Sequence, residues 1–269
     1  MTVTSAERTT GRAVIPYAML FFAVGQFISP IFNALLGGEF TSANRSGEPP
    51  LTPAGYTFSI WGLIELVSLG LAIFLVLRRK RTDADLVERL ATPLLVVFIG
   101  FSAWILAAEL EPVWSTLVII VVMFAALVWA LRIALTARSR IAGWPTLGRG
   151  LLWWTLGLYT GWLSVAMWLN LTTAFAGSGA PITGTLGIGA QVATLAGALG
   201  TVLVILTWTG GLLSYAAAVC WGLVGAIVGT ADAGQPVLTV AVVIGLVIVV
   251  AATAVTRRRS RSSLSERLA

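Results

Sequence analysis

The sequence predicts an all-α fold, a polytopic membrane helix bundle with about eight transmembrane helices. Hydrophobic residues make up 58% of the 269 residues and charged residues only 10%, whereas a soluble globular domain carries about 25% charged residues. The mean hydropathy is +0.93. Apolar runs of about 20 residues, the length that crosses a bilayer, recur along the chain. Together these observations indicate an integral membrane protein.

Each predicted helix corresponds to one of these apolar runs. They cover residues 13–36, 56–77, 92–110, 113–135, 150–172, 185–207, 212–230 and 236–256. The first run exceeds the roughly 7–15 residues of a signal-peptide core, so we interpret it as an uncleaved first span. We divide the chain into a five-helix core (1–172), three additional transmembrane helices (173–256) and a basic cytoplasmic tail (257–269).

The arginines stand at the ends of the apolar runs and predict the topology. They concentrate in 78–91, 136–149 and the tail, whereas the connectors on the other side contain a single arginine, Arg45. This is the positive-inside pattern of cytoplasmic loops. It predicts a multi-pass protein of the cell membrane with both termini cytoplasmic and the lipid bilayer as its main partner. It also argues against a nucleic-acid partner, although the net charge is +6.

Several kinds of chemistry are excluded by composition. The chain has no histidine, which rules out histidine general acid–base catalysis and histidine-ligated zinc or haem. A single cysteine, Cys220, cannot form an intrachain disulfide. No nucleophile–base pair or ligand cluster is visible in the sequence. We therefore expect no enzymatic activity, no catalytic residue, no metal site and no resident cofactor.

The second predicted span begins under a proline-rich loop and carries an aromatic residue and an acid. The loop, residues 37–55, contains three prolines that each fix φ near −65°. Trp61 and Glu65 are four residues apart and share one helix face. At ~1.5 Å per residue they lie ~8 and ~14 Å below the outer edge. A carboxylate at that depth is expected to face protein or a wet cavity.

Tryptophans recur at this depth in two other predicted spans. Trp104 and Trp162 lie ~8 and ~12 Å inside the outer ends of their helices, deeper than an interfacial aromatic belt. On the fifth span, Tyr159, Ala166 and Asn170 share the face of Trp162. We predict a ligand pocket in the outer half of the membrane, capped by the loop, with core packing as the alternative.

The first span carries a polar stripe of Gln26, Ser29 and Asn33 at helical spacing. Such a stripe must point towards other helices. Ligand contact and helix–helix hydrogen bonding explain it equally well.

Three segments of the sequence resemble one family. They are Pro49–Pro50 with Gly55–Trp61, Ala103–Trp104, and Tyr159–Ala166 followed by Asn170. In order and spacing they are similar to the TspO/MBR family, the tryptophan-rich sensory proteins and translocator-protein relatives. The chain departs from the family pattern at Tyr56, Glu65, Phe101 and Leu158, and it is a long form with extra C-terminal spans.

The resemblance implies a five-helix core that binds a hydrophobic ligand, notably a porphyrin or related tetrapyrrole. Trp61 and Trp162 would be the pocket tryptophans and Trp104 a third wall. The complete set of predicted ligand-binding residues is Trp61, Trp104, Trp162, Glu65, Tyr56, Phe58, Asn33, Tyr159, Ala166 and Asn170. Porphyrin degradation, which is proposed for some relatives, is left open by the resemblance alone.

Two alternatives remain at this stage. The chain could transport a small hydrophobic or amphipathic compound, with Glu65 as a proton-coupling site and Gln191, Thr194, Ala198 and Thr201 along a pathway. A homodimer is also plausible by analogy, because glycine-rich faces on spans five and seven would let another backbone approach.

Overall fold

The computed structural model describes the backbone of residues 5–35, 48–78, 83–110 and 113–266. Over these ranges it contains nine α-helices and no strand, which confirms the predicted all-α class. The helices are α1 (Ser5–Leu35), α2 (Ile60–Arg78), α3 (Ala84–Leu110), α4 (Ser115–Thr136), α5 (Arg138–Ala142), α6 (Thr146–Gly177), α7 (Gly184–Thr209), α8 (Leu213–Asp232) and α9 (Pro236–Glu266). A 3₁₀ segment, Gly55–Ser59, precedes α2.

Among the described residues, seven helices are long and apolar enough to cross a membrane: α1, α2, α3, α4, α7, α8 and α9. The chain is therefore a multi-pass membrane protein. The predicted span 150–172 lies in α6, a helix of 32 residues that reaches ~48 Å at ~1.5 Å per residue. Tryptophans, a tyrosine and glycines lower the hydropathy of α6, which is why it is not among these seven helices. Its length and the absence of charge between residues 150 and 172 are the features that it shares with a membrane span.

Two helix boundaries differ from the prediction. Helix α3 begins at Ala84, within the predicted loop 78–91, and α9 continues through the predicted tail as far as Glu266. Both predicted spans were ended where charged residues interrupt the apolar run. A helix outside the hydrocarbon tolerates charge, and Asp85 in the first turn of α3 suits the helix dipole. Arg257 of α9 also donates to the carbonyl oxygen of Gly211 (3.3 Å) in the α7–α8 turn.

The described chain forms two compact units. The first contains α1, α2 from Trp61 onwards, α3, α4 from Val121, α5 and α6 up to Leu156. The second contains the proline-rich loop with its 3₁₀ segment, the beginning of α4, the rest of α6, and α7, α8 and α9. The separate prediction of a core at 1–172 followed by an extension is not tested by this division.

In the first unit, polar side chains join neighbouring helices. Helix α1 packs on α3, and the Ser102 hydroxyl of α3 donates to the Ser29 hydroxyl of α1 (3.3 Å). The Thr155 hydroxyl of α6 donates to the carbonyl oxygen of Val67 in α2 (3.0 Å). The polar stripe of α1 thus takes part in helix–helix hydrogen bonding, one of its two expected roles.

The arginine-rich end of the first unit is organised around Asp83. Its carboxylate accepts hydrogen bonds from the Arg78 guanidinium (2.8 Å) and from the Trp144 indole (3.1 Å). Arg140 makes a bidentate pair with Asp85, at 2.9 and 2.6 Å. The hydrogen bonds to Asp85 raise the pKa of the Arg140 guanidinium.

In the second unit, glycines bring helices into contact. Helix α9 packs against both α7 and α8. The part of α6 that begins at Gly157 lies against α8, where Ser214 and Tyr215 occupy the space in which side chains at Gly157 and Gly161 would lie. The predicted glycine face of span five is therefore filled within the chain. The homodimer stays a prediction, but the glycine face of span five no longer supports it.

Candidate functional site

The proline-rich loop is described from Glu48 onwards, and it is held at two backbone positions. The Leu51 N–H donates to the Gln191 side-chain oxygen of α7 (2.8 Å). The Ala54 N–H donates to the carbonyl oxygen of Gly225 in α8 (3.0 Å). The side-chain nitrogen of Gln191 donates in turn to the carbonyl oxygen of Ile182 (2.8 Å), which fixes the amide's orientation. Two C-terminal helices therefore fasten the loop.

Two glycines of α8 allow the loop to come this close. A Cβ atom added at Gly225 would overlap the Thr57 side chain, and one at Gly229 would overlap the carbonyl oxygen of Thr52. At both positions the missing side chain is what lets another chain segment approach.

An indole of α8 completes the attachment of the 3₁₀ segment. The Trp221 indole N–H donates to the carbonyl oxygen of Thr57 (2.8 Å). The Tyr56 ring meets Trp221 edge-to-face, with centroids 5.8 Å apart, an orientation that aromatic pairs favour. The contacts made by Gln191, Gly225 and Trp221 are together called the loop anchor below.

Sequence reasoning missed the loop anchor. It placed Gln191 on a transport pathway and did not single out Trp221. The small residues Gly225 and Gly229 were visible as a packing signal, but their partner could not be inferred from the sequence.

In the first unit, two aromatic side chains gather around Trp61. Its ring lies 4.7 Å from Phe101 and 5.8 Å from Trp104, centroid to centroid, at tilted angles. All three are buried, with Trp61 and Trp104 only 5% and 8% exposed, so none of them faces lipid. We call these three residues the aromatic cluster. The predicted neighbours Trp61 and Trp104 are thus adjacent, and Phe101 joins them.

Glu65 lies one turn after Trp61 on α2 and is also buried, at 6% exposed. A carboxyl group is costly to bury unless it is neutral or has a polar partner. Its position agrees with the expectation that it points away from lipid.

In the second unit, Trp162 of α6 packs against the 3₁₀ segment. Its indole meets the Phe58 ring edge-to-face, with centroids 5.8 Å apart. A Cβ atom added at Gly222 of α8 would lie 3.5 Å from the same indole, so this glycine packs directly against the Trp162 ring. Tyr159 is fully buried on the same helix. The Asn170 amide donates to the carbonyl oxygen of Ala166 (2.8 Å), a bond within its own helix.

The predicted site residues therefore fall into separate groups. Trp61, Trp104 and Glu65 belong to the first unit. The second unit contains Tyr56, Phe58, Tyr159, Trp162, Ala166 and Asn170. Tyr56 is half exposed and pairs with Trp221 rather than with a predicted site residue. That the three tryptophans line one cavity stays a prediction. The side chain of Asn33 lies outside the described residues.

The loop also borders an open cleft of about 480 Å³ in the second unit. Its walls are residues of the loop and the end of α8, including Glu48, Gly229 and Asp232. Among the described residues, no group of three or more His, Cys, Asp or Glu side chains is placed to hold a metal ion.

Comparison with known proteins identifies the chain. The family described as TSPO-like protein matches residues 14–255, a range that includes the C-terminal helices as well as the predicted core. The same comparisons found no matching curated protein and no matching solved structure. The family match covers most of the sequence, so the chain belongs to the TSPO-like protein family.

Proposed function

We propose that the chain is a membrane receptor for a planar hydrophobic ligand of the porphyrin or tetrapyrrole type. The observation that carries the proposal is the aromatic cluster, in which Trp61 packs against Phe101 and Trp104 inside the first unit. Membership of the TSPO-like family supports the same role, because the resemblance implies hydrophobic ligands.

The proposed recognition relies on ring stacking and on a few polar contacts. Offset stacking between aromatic rings contributes about 0.5–1.5 kcal/mol beyond the burial of apolar area. The sequence has no histidine to ligate iron, so a metal-free porphyrin is the natural probe. Glu65, buried one turn from Trp61, would supply a polar contact to ring nitrogens or propionates.

The loop would act as a cap whose position is set before the ligand binds. Its three prolines restrict the backbone, and the loop anchor ties it to α7 and α8. A cap that is already ordered loses little conformational entropy on binding, which favours affinity. The Phe58 ring, held by this segment against Trp162, would provide a further aromatic surface.

We also propose that both termini are cytoplasmic and that the loop lies on the outer face of the cell membrane. The distribution of arginines supports this orientation, because the outer connectors hold only Arg45. Cysteine accessibility labelling of single-cysteine variants in whole cells would test it.

Ligand binding is tested by titrating the purified protein in neutral detergent with protoporphyrin IX. The readout is the red shift of the porphyrin Soret band, which does not depend on tryptophan emission. Loss of one stacking indole, by about 0.5–1.5 kcal/mol, makes Trp61→Phe and Trp104→Phe bind roughly two- to tenfold more weakly. Trp162→Phe tests the second unit in the same way.

The matched control is Trp208→Phe, which removes a tryptophan that is 42% exposed near the end of α7. It should bind as the parent does. A Soret band that shifts without saturation, or equal losses in Trp208→Phe and Trp61→Phe, would show nonspecific partition into detergent and protein and refute the proposal.

Transport is not favoured by the described contacts of α7. Two of the four side chains expected along a pathway are engaged elsewhere. Gln191 holds the loop, and the Thr201 hydroxyl accepts the Trp168 indole N–H (3.1 Å). The role that we propose is binding, with no bond made or broken.

A further inference from the structure

We propose that the first unit has a second binding site, for a phosphoryl group, in a groove formed by α3, α4 and α5. The groove has a volume of about 490 Å³. It is lined by Arg89, Trp129, Arg132, Ile133, Thr136, Ala137 and Arg140. This described lining therefore contains three arginines and no carboxylate.

Two of the three arginines have no ion-pair partner among the residues that the structure describes. Arg140 is paired with Asp85 through two hydrogen bonds. Arg89 and Arg132 are exposed, and neither forms an ion pair or side-chain hydrogen bond with a residue that the structure describes. Guanidinium groups bind phosphate through two parallel N–H donors. Arg89 and Arg132 are therefore the residues that we assign to the ligand.

The groove lies close to the ends of α3 and α4, where we expect lipid phosphates. Arg89 is five residues from the beginning of α3 and Arg132 four from the end of α4, which is ~6–8 Å along each helix. A bilayer has a head-group layer of roughly 5–8 Å on each side of its hydrocarbon core. Trp129, half exposed one turn deeper on α4, is placed as an interfacial anchor for the lipid chains.

The groove has room for a glycerophosphate head group. At ~30 Å³ per water molecule, its volume corresponds to more heavy atoms than glycerophosphate contains. An adjoining cleft of about 340 Å³ shares Arg89 and Trp129 and is lined by the acids Asp85 and Glu88. Those carboxylates repel phosphate, so we place the phosphoryl group at the arginine end of the groove.

Topology alone is the competing explanation for these arginines, because positive charge at a cytoplasmic helix end orients a membrane protein. That explanation requires no bound ligand and makes neighbouring arginines equivalent. Arg138 offers the matched comparison. It carries the same charge close by, but it lies over the Trp153 ring (5.5 Å to the centroid) and does not line the groove.

The experiment is native mass spectrometry of the full-length protein in neutral detergent, titrated with phosphatidylglycerol and, separately, with phosphatidylcholine. We expect saturable binding of one phosphatidylglycerol and at least tenfold weaker binding in Arg89→Gln/Arg132→Gln. Arg89→Lys/Arg132→Lys preserves the charge that directs insertion and loses the guanidinium fork, so it should weaken binding about three- to fivefold. Arg138→Gln should bind within twofold of the parent.

A competition arm distinguishes the source of the phosphoryl group. Displacement of the lipid by an excess of inorganic phosphate would support the site with free phosphate as a sufficient ligand. Retention of the lipid would support it with the lipid head group as the ligand. Phosphatidylglycerol binding no tighter than phosphatidylcholine, or an equal loss in Arg138→Gln, would overturn the proposal.

Discussion

Replacing Gln191 by leucine should release the proline-rich loop. The substitution keeps the volume of the side chain but removes the acceptor of the Leu51 N–H and both donors of the amide nitrogen. A buried N–H left without an acceptor costs about 1–3 kcal/mol, and each lost neutral hydrogen bond about 0.5–1.5 kcal/mol. Of these bonds, only the Leu51 bond joins the loop to α7, so the loop should open more easily by about 1–3 kcal/mol.

Amide hydrogen exchange measures this opening directly, because local exchange reports the free energy of local unfolding. Every 1.4 kcal/mol changes an equilibrium tenfold, so the exchange of the Leu51 and Ala54 amides should accelerate roughly five- to 150-fold. Peptides covering residues 48–60 of the purified protein in detergent would be followed by mass spectrometry. Peptides from α3, in the other unit, provide the internal reference.

Thr194→Val is the control for the α7 helix itself. Thr194 is partly exposed one turn from Gln191, and its hydroxyl bonds only to the carbonyl oxygen of Ala190 in its own helix (3.0 Å). Exchange of the loop should change less than about twofold in this variant. If Gln191→Leu left the loop as protected as Thr194→Val does, the loop would be held by something other than this amide.

Three further predictions concern other contacts. Gly229→Ala places a methyl group against the carbonyl oxygen of Thr52 in the loop. It should lower the free energy of unfolding by about 1–3 kcal/mol, which is measured as a lower thermal midpoint. Gly200→Ala is the control and should leave the midpoint unchanged, because nothing lies within 4 Å of the new Cβ atom. Asp83→Asn weakens charge-assisted hydrogen bonds of about 1.5–3 kcal/mol and should lower the midpoint more than Asp232→Asn; equal effects would contradict the role of Asp83. Illumination of the protoporphyrin complex should leave its Soret absorbance unchanged relative to porphyrin in detergent, and steady loss that requires Trp61 would indicate catalysis instead of binding.

The sequence predicts the helices well because the bilayer imposes a length and a composition on every span. The run 185–207 and helix α7 (Gly184–Thr209) differ by only one or two residues at each end. The prediction fails where the helix leaves the hydrocarbon. Arginines end an apolar run but do not end an α-helix, so α9 continues through 257–266 with the same backbone hydrogen bonding.

One aromatic pair of the candidate site, Trp61 with Trp104, was accessible from spacing and depth. Trp61 and Trp104 were expected to be neighbours because each lies a similar distance inside the same face of the membrane, and they are. The loop anchor was not accessible in this way. Gln191 is separated from Leu51 by 140 residues, and a polar residue in a span reveals that it needs a partner without revealing which one.

The loop anchor changes what the C-terminal helices mean for the candidate site. Treating residues 173–256 as an extension assumes that the loop is complete without them, yet two loop N–H groups find their acceptors at Gln191 and Gly225, both beyond residue 173. Each buried donor left unpaired costs about 1–3 kcal/mol, so a chain ending at residue 172 would need a different loop conformation. The proline-rich loop and the helices beyond residue 173 are therefore one structural element, and the family match through residue 255 agrees with that view.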